Sequence, residues 1–205
     1  MQVKSAELEA RRRTEILDAC ARIYAEKGFH DVTTRGIGQE ISCSRPTIYN
    51  YFESKEEIFL GLLARESKAW LAELDNLEPS GKEPPKEEFA AKVAETLERR
   101  AIMLRIMAMN VYDIEEKSRL ERLTEYKELF LQEYLAFGKA LRRFMQDADE
   151  EKIAKVQRAF FPFMAGVYPY AHPTDKQREA MEKAGLDYKP PAIREAVEEF
   201  LLQIL

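Results

Sequence analysis

Arg45, Thr47 and Tyr49 alternate along one short stretch of the chain. Their chemistry is recognition rather than turnover. A guanidinium can bridge two acceptors on a guanine edge, a threonine can meet a base or a thymine methyl, and a tyrosine can donate to a phosphate. Catalytic motifs are missing: no GxSxG, P-loop, HExxH or paired Cys/His cluster occurs, so the sequence points away from an enzyme and offers no site for a metal or other cofactor. Cys20 and Cys43 stand alone and read as packing residues, and His30 and His172 have no second histidine at ligand spacing.

A second concentration of chemistry is apolar. Met103 and Met107 lie in a segment that is apolar on nearly every side of a helix, and Phe160, Phe161, Phe163, Met164, Tyr168 and Tyr170 crowd another. Methionines adapt to an apolar guest, and so many rings exceed what one helix face buries in its own subunit. We expect a pocket or a subunit contact there, with plain core as the alternative. Met103, Met107, Phe160, Phe163, Met164 and Tyr168 are the expected lining. Arg105 is the one charge within these stretches, so the expected effector is apolar or aromatic and of low charge.

Helical periodicity must position these residues, and no alternating strand pattern is present. Ile16, Leu17, Cys20, Ile23 and Tyr24 form one stripe, and Gly28 is expected to close that helix in a left-handed conformation, with Phe29 folding back. Short helices are expected over 34–41, capped by Thr33 or Thr34, and over 45–51, separated by Ser42, Cys43 and Ser44. Ser54 and Glu57 read as a capping box for a helix reaching about Leu77. Residues 78–85 are rich in breakers. Beyond them the pattern predicts helices over 86–111, 114–146 with a break near Thr124, 150–168, a short one from Thr174, and 191–205.

The net charge of −5 excludes a generally basic surface, so any nucleic-acid contact must be a local patch. Residues 1–55 hold 9 Lys and Arg against 8 Asp and Glu, and the remainder 23 against 29, an asymmetry too small to argue from. No secretory signal pattern is seen at the N-terminus, and the apolar stretch 159–171 is interrupted by Pro162 and Pro169, so no membrane association is expected and a reducing cytoplasm fits.

Residues 14–58 resemble the TetR family of transcriptional regulators. The resemblance is carried by Thr14, Ile16, Leu17, Ala19, Gly28, Thr33, Thr34, Ile37, Ser44, Thr47, Ile48, Tyr49, Tyr51, Phe52, Lys55 and Ile58, most tellingly in the run from Thr47 to Lys55. It implies an all-α protein: an N-terminal helix-turn-helix head over 1–54 and a larger helical domain over 55–205 that dimerises and senses a ligand. The helix from residue 45 would enter the major groove of double-stranded operator DNA, with contacts from Thr33, Thr34, Arg45, Thr47, Tyr49, Asn50, Tyr51 and Lys55. Tyr51 and Phe52 have core packing as their alternative, and Arg11, Arg12 and Arg13 are either an arm toward DNA or a solvated face.

This chain departs from the family pattern in places. Gly36 and Gly38 weaken a short helix by about 1 kcal/mol each, which predicts a looser head. Ser42 replaces a turn glycine, and Pro46 shifts the expected start of the recognition helix to Pro46. The expected function is that of a homodimeric repressor released from a palindromic operator by a small apolar or aromatic molecule, the helix from Ser54 acting as the lever. The alternative is a DNA-binding protein controlled by a protein partner or lacking a small-molecule effector.

Overall fold

The computed structural model describes residues 2–82 and 84–205, and these residues are helical with no strand. The helices are α1 (Gln2–Glu26), α2 (Thr34–Glu40), α3 (Arg45–Tyr49), α4 (Lys55–Asp75), α5 (Lys86–Glu98), α6 (Ala101–Glu116), α7 (Leu120–Phe144), α8 (Glu150–Ala171), α9 (Asp175–Lys183) and α10 (Ile193–Ile204). They form two compact units. One runs to Glu66 and includes Asn110–Glu128; the other holds Ser67–Met109 and Leu129–Leu205. The expected cut between residues 54 and 55 therefore falls inside the first unit, and α4, α6 and α7 each contribute to both.

In the first unit the α1 stripe closes on α4. Ile16, Cys20 and Tyr24 are buried, and Phe59 receives the edge of Tyr24 at 5.0 Å and the tilted ring of Phe29 at 4.7 Å. Phe29 thus folds back as expected, but Gly28 does not do what its type suggests. Among the described residues the positive φ values belong to Ser42 (52°) and Gly185 (77°), and Gly28 serves instead as a carbonyl acceptor for the amides of Asp31 and Val32.

The left-handed step comes at Ser42, in the turn between α2 and α3, where an L side chain is sterically disfavoured. That turn is also why Gly38 is glycine. A Cβ there would lie 2.5 Å from the carbonyl oxygen of Cys43, whose own amide donates to the Gly38 carbonyl at 2.8 Å. The expectation that Gly38 loosens the head is corrected: its missing side chain lets α2 and the turn approach.

The head is tied by charged groups. The buried Glu57 carboxylate accepts from the Glu53 amide at 3.0 Å, from the Arg119 guanidinium at 2.5 and 2.8 Å, and from the Arg119 amide at 3.2 Å, while Ser54 Oγ accepts from the Glu57 amide at 3.0 Å. The capping box is therefore real on the Ser54 side, with the Glu57 end redirected to Glu53. Burial pushes the Glu57 carboxyl up, but the hydrogen bonds from Arg119 and the two backbone amides outweigh it and hold it at about 2.

The second unit is built on aromatic packing. Phe137 and Phe160 stack at 4.4 Å, and Phe161 is ringed by Trp70, Phe130, Tyr134, Phe137 and Phe160. Trp70 Nε1 donates to Thr96 Oγ1 at 3.0 Å, satisfying its one polar atom. α10 packs on α5 and α8. The single helix expected over 86–111 is two, broken at Arg99 and Arg100, both of which pair with Glu73. The break expected near Thr124 lies instead at 117–119, where Arg119 turns to Glu57. Neither break contains glycine or proline, so neither was signalled locally. α8 continues through Pro162 and Pro169 to Ala171, three residues past the expected end, and α9 begins as expected after Thr174, whose hydroxyl caps the Gln177 amide.

Two outcomes are expected. In urea unfolding, Gly38→Ala destabilises by about 1–3 kcal/mol because Cβ meets backbone, whereas Ser42→Gly stabilises by about 1 kcal/mol by relieving the left-handed step. The second concerns pH. Glu57 is held near 2 against an ordinary 4.5, so its contribution is whole above about pH 5 and is lost as pH falls toward 2. Acid titration of stability should lose a component on the order of 1–2 kcal/mol in Glu57→Gln, Arg119 being partly solvated; an unchanged pH slope would show that the pair contributes nothing.

Candidate nucleic-acid interface

α3 is too short to persist alone, and its neighbours hold it. Ser44 Oγ accepts from the Thr47 amide at 3.3 Å and lies 2.7 Å from Thr47 Oγ1, fixing the first turn. The helix therefore starts at Arg45 rather than at Pro46, whose missing amide costs nothing there, and it closes at Tyr49 rather than at residue 51. Ile48 is wholly buried and Phe52 nearly so, which anchors the inner face and settles Phe52 as core.

Behind α3, Arg13 Nη1 donates to the Tyr51 carbonyl at 2.9 Å and its guanidinium lies 4.4 Å from the Phe52 ring centre. Arg13 is thus a brace. Arg11 and Arg12 pair with Glu15 on the surface of α1. The charge run hid this division of labour, and only the tertiary contact distinguishes Arg13 from its neighbours.

The outer face gathers the predicted donors. Arg45 donates through Nη2 to Tyr49 Oη at 3.0 Å and lies over the same ring. Hydrogen bonds from Arg45 and then from Thr34 draw the exposed Tyr49 hydroxyl below its usual value of 10. Arg45 and Tyr49 are thus paired and exposed on α3, and half-buried Thr34 at the start of α2 lies beside the Tyr49 hydroxyl. Thr33 is the α2 cap, accepting from the Gly36 amide at 3.0 Å. Asn50 is exposed at the end of α3, and Tyr51 is half-buried. Lys55 is differently employed: Nζ donates to the Phe29 carbonyl at 3.0 Å and sits 4.1 Å from the Phe29 ring centre, securing the start of α4.

In the second unit the six expected lining residues divide. Met103, Phe160 and Met164 are buried. Phe163 is half-buried and stacks on Phe200 at 3.9 Å, Tyr168 stacks on His172 at 4.5 Å, and Met107 is half-buried. Cys20 is buried, and burial pushes its thiol up to about 12, which leaves it inert.

The spacing of charges along the chain did not single out Glu133. Glu133 is buried, 2 % exposed, and its Oε1 has no hydrogen-bond partner. Burial pushes its carboxyl up to about 7, a hydrogen bond from Ser67 pulling the other way. A signal existed: Tyr126, Leu129, Phe137, Ala140 and Phe144 mark the buried stripe of α7, and position 133 falls within it.

Comparison with known proteins accords with this architecture. A stretch of 72 residues is 40% identical to the HTH-type transcriptional repressor AcnR of Corynebacterium diphtheriae, covering 35% of this chain and 37% of that protein. Another of 61 residues is 38% identical to the uncharacterized HTH-type transcriptional regulator YdgC of Bacillus subtilis, 30% of each chain. The chain thus matches only about a third of the length of these relatives. Among solved structures, the TetR family transcriptional regulator PfmR from Thermus thermophilus shares the fold at a TM-score of 0.56 and 18% identity, over 93% of this chain and 96% of that one. The transcriptional regulator FadR from Bacillus subtilis, solved with stearoyl-CoA, does so at 0.58 and 17% identity, over 94% and 98%. Residues 64–205 match the family model for tetracyclin repressor-like C-terminal domains, and residues 16–62 that for bacterial regulatory proteins of the tetR family. The chain therefore belongs to the tetR family of bacterial regulatory proteins.

Proposed function

We propose that this protein is a DNA-binding transcriptional repressor whose α3 reads the major groove of an operator. The observation that carries the reading is the Arg45–Tyr49 pair, exposed on a helix whose opposite face is locked by buried Ile48, with half-buried Thr34 of α2 beside it. A side chain held before binding loses less freedom on docking, so a preformed Arg45 suits selective recognition. Thr47 and Asn50 complete the reading face, with Thr33 and Tyr51 at its margin. Lys55 is left mainly as a brace by its bond to Phe29, although an ammonium has three donors and can also serve a phosphate. That relatives over the head are named repressors supports repression.

The regulated half is the helical unit, in which a small molecule with an apolar body releases the DNA. Support comes from the methionine and aromatic content around Met103, Phe160 and Met164, and from FadR, a protein of the same fold solved with an acyl-CoA. Two copies are needed to read a palindrome. The half-exposed Phe163–Phe200 stack on α8 and α10 is the apolar surface that supports a contact between two copies.

The test begins with DNA selected from a random pool and fluorescence anisotropy on the selected site. Arg45→Ala should cost about 1–3 kcal/mol at the preferred site and relax sequence choice. Tyr49→Phe, which removes the hydroxyl that Arg45 and Thr34 share, should weaken binding to all sites alike. Lys55→Ala reports on its two roles: a brace lowers Tm, whereas a phosphate contact lowers the slope of log K against log salt by about 1. Operator affinity unaltered in both Arg45→Ala and Tyr49→Phe would sink the assignment. For assembly, sedimentation should give dimers at micromolar concentration and monomers for Phe200→Glu; a monomeric wild type would count against the palindrome.

A further inference from the structure

Glu133 is a carboxyl placed where every neighbouring stripe position is apolar. It lies on the buried face of α7, one turn after Phe130 and one turn before Phe137, both of which pack on Phe161. Ser67 on α4 is the polar neighbour that pulls the Glu133 carboxyl down against burial, and its hydroxyl donates to Met103 Sδ at 3.9 Å. Trp70, one turn along α4 from Ser67, packs on the same Phe161 ring. The carboxyl is 2 % exposed, and Oε1 has no donor. A buried, unsatisfied carboxyl destabilises a fold, and replacement by an apolar residue of similar volume would relieve that cost, so the group has no structural use that explains it.

We propose that Glu133 and Ser67 are the polar anchor of an effector site in the helical unit, and that the effector is a mainly apolar molecule bearing one cationic, hydrogen-bond-donating nitrogen. The nitrogen meets Glu133 Oε1 and supplies both the missing donor and the missing opposite charge. Its apolar body takes the place of the buried Met103 side chain, whose unbranched, adaptable chain must repack to admit it. The rings of Phe161, Trp70 and Phe130, which pack on one another in the same unit, are the aromatic partners available to a cation that has left water. Among the described residues of this unit the buried charged residue is the acid Glu133, and it selects a base in place of the low-charge guest expected. Anionic guests are excluded by the same carboxyl. This inference deepens the effector half of the proposed function, and its test is made on the protein without DNA so that the two can fail separately.

The experiment is titration calorimetry of the full chain with three probes of one shape, 4-phenylbutylamine, 4-phenylbutanol and 4-phenylbutyrate. Wild type should bind the amine at least tenfold more tightly than the alcohol and should not bind the carboxylate measurably. Titrations near pH 7 in buffers of different ionisation enthalpy should show proton release as the amine ionises Glu133. In Glu133→Gln the amine should lose its tenfold advantage and the proton release, while the alcohol binds as before. The variant is expected to melt no lower than wild type, and Glu133→Met serves if the amide does not fold. No amine binding at millimolar concentration, or an amine-to-alcohol ratio retained in Glu133→Gln or Glu133→Met, would overturn the proposal. Amine binding that leaves operator affinity unchanged would keep the site and remove its role as a releasing switch.

Discussion

The Glu57 carboxylate holds the first unit together at a point where the chain supplies little else. α3 has five residues and cannot keep its shape by its own hydrogen bonds. The turn after it must be fixed from outside, and Glu57 does so by taking the Glu53 amide while its remaining lone pairs receive Arg119 from the turn between α6 and α7. Burying that charge is unfavourable, yet the side-chain and backbone donors around it more than offset the lost water. Arg13 on Tyr51 and Lys55 on Phe29 extend the same device, a cation capping a carbonyl and covering a ring. With its inner side secured, α3 can leave Arg45 and Tyr49 in solvent.

Glu57 and Glu133 are the same residue in opposite circumstances. Both are nearly inaccessible. Glu57 has its counter-charge and stays ionised in mild acid, whereas Glu133 has one hydroxyl and an unpaired oxygen, so burial governs it and its protonation changes near neutrality. A completed ionic site serves the scaffold, and an incomplete one is a demand for a partner. This difference is the ground for a binding role at Glu133 and gives Glu57 none.

Much of the molecule was legible from residue type and spacing. The stripe of α1, the cap at Thr33, the turn through Ser42 to Ser44, the Ser54 cap and the Thr174 cap are local, because a helix start needs a short polar side chain and an amphipathic helix needs one apolar face. The donors of the reading face were likewise visible, since Arg45 and Tyr49 sit four apart and meet on any helix.

What tertiary structure alone decided was which charges are used and where helices stop. Arg13 is indistinguishable in sequence from Arg11 and Arg12, and becomes a brace because Tyr51 and Phe52 lie across from it. The breaks after α5 and α6 carry no glycine or proline, and they exist because Glu73 and Glu57 capture arginines at those points. Gly38 looked like a weakness until the Cys43 carbonyl was found where its Cβ would be. The sequence by itself determined an all-helical chain with a helix-turn-helix head, because periodicity and caps are properties of neighbours along the chain. Which glutamate is paired and which is left wanting was decided only by the fold, because a counter-charge from Arg119, or its absence at Glu133, is a fact about residues far apart in sequence.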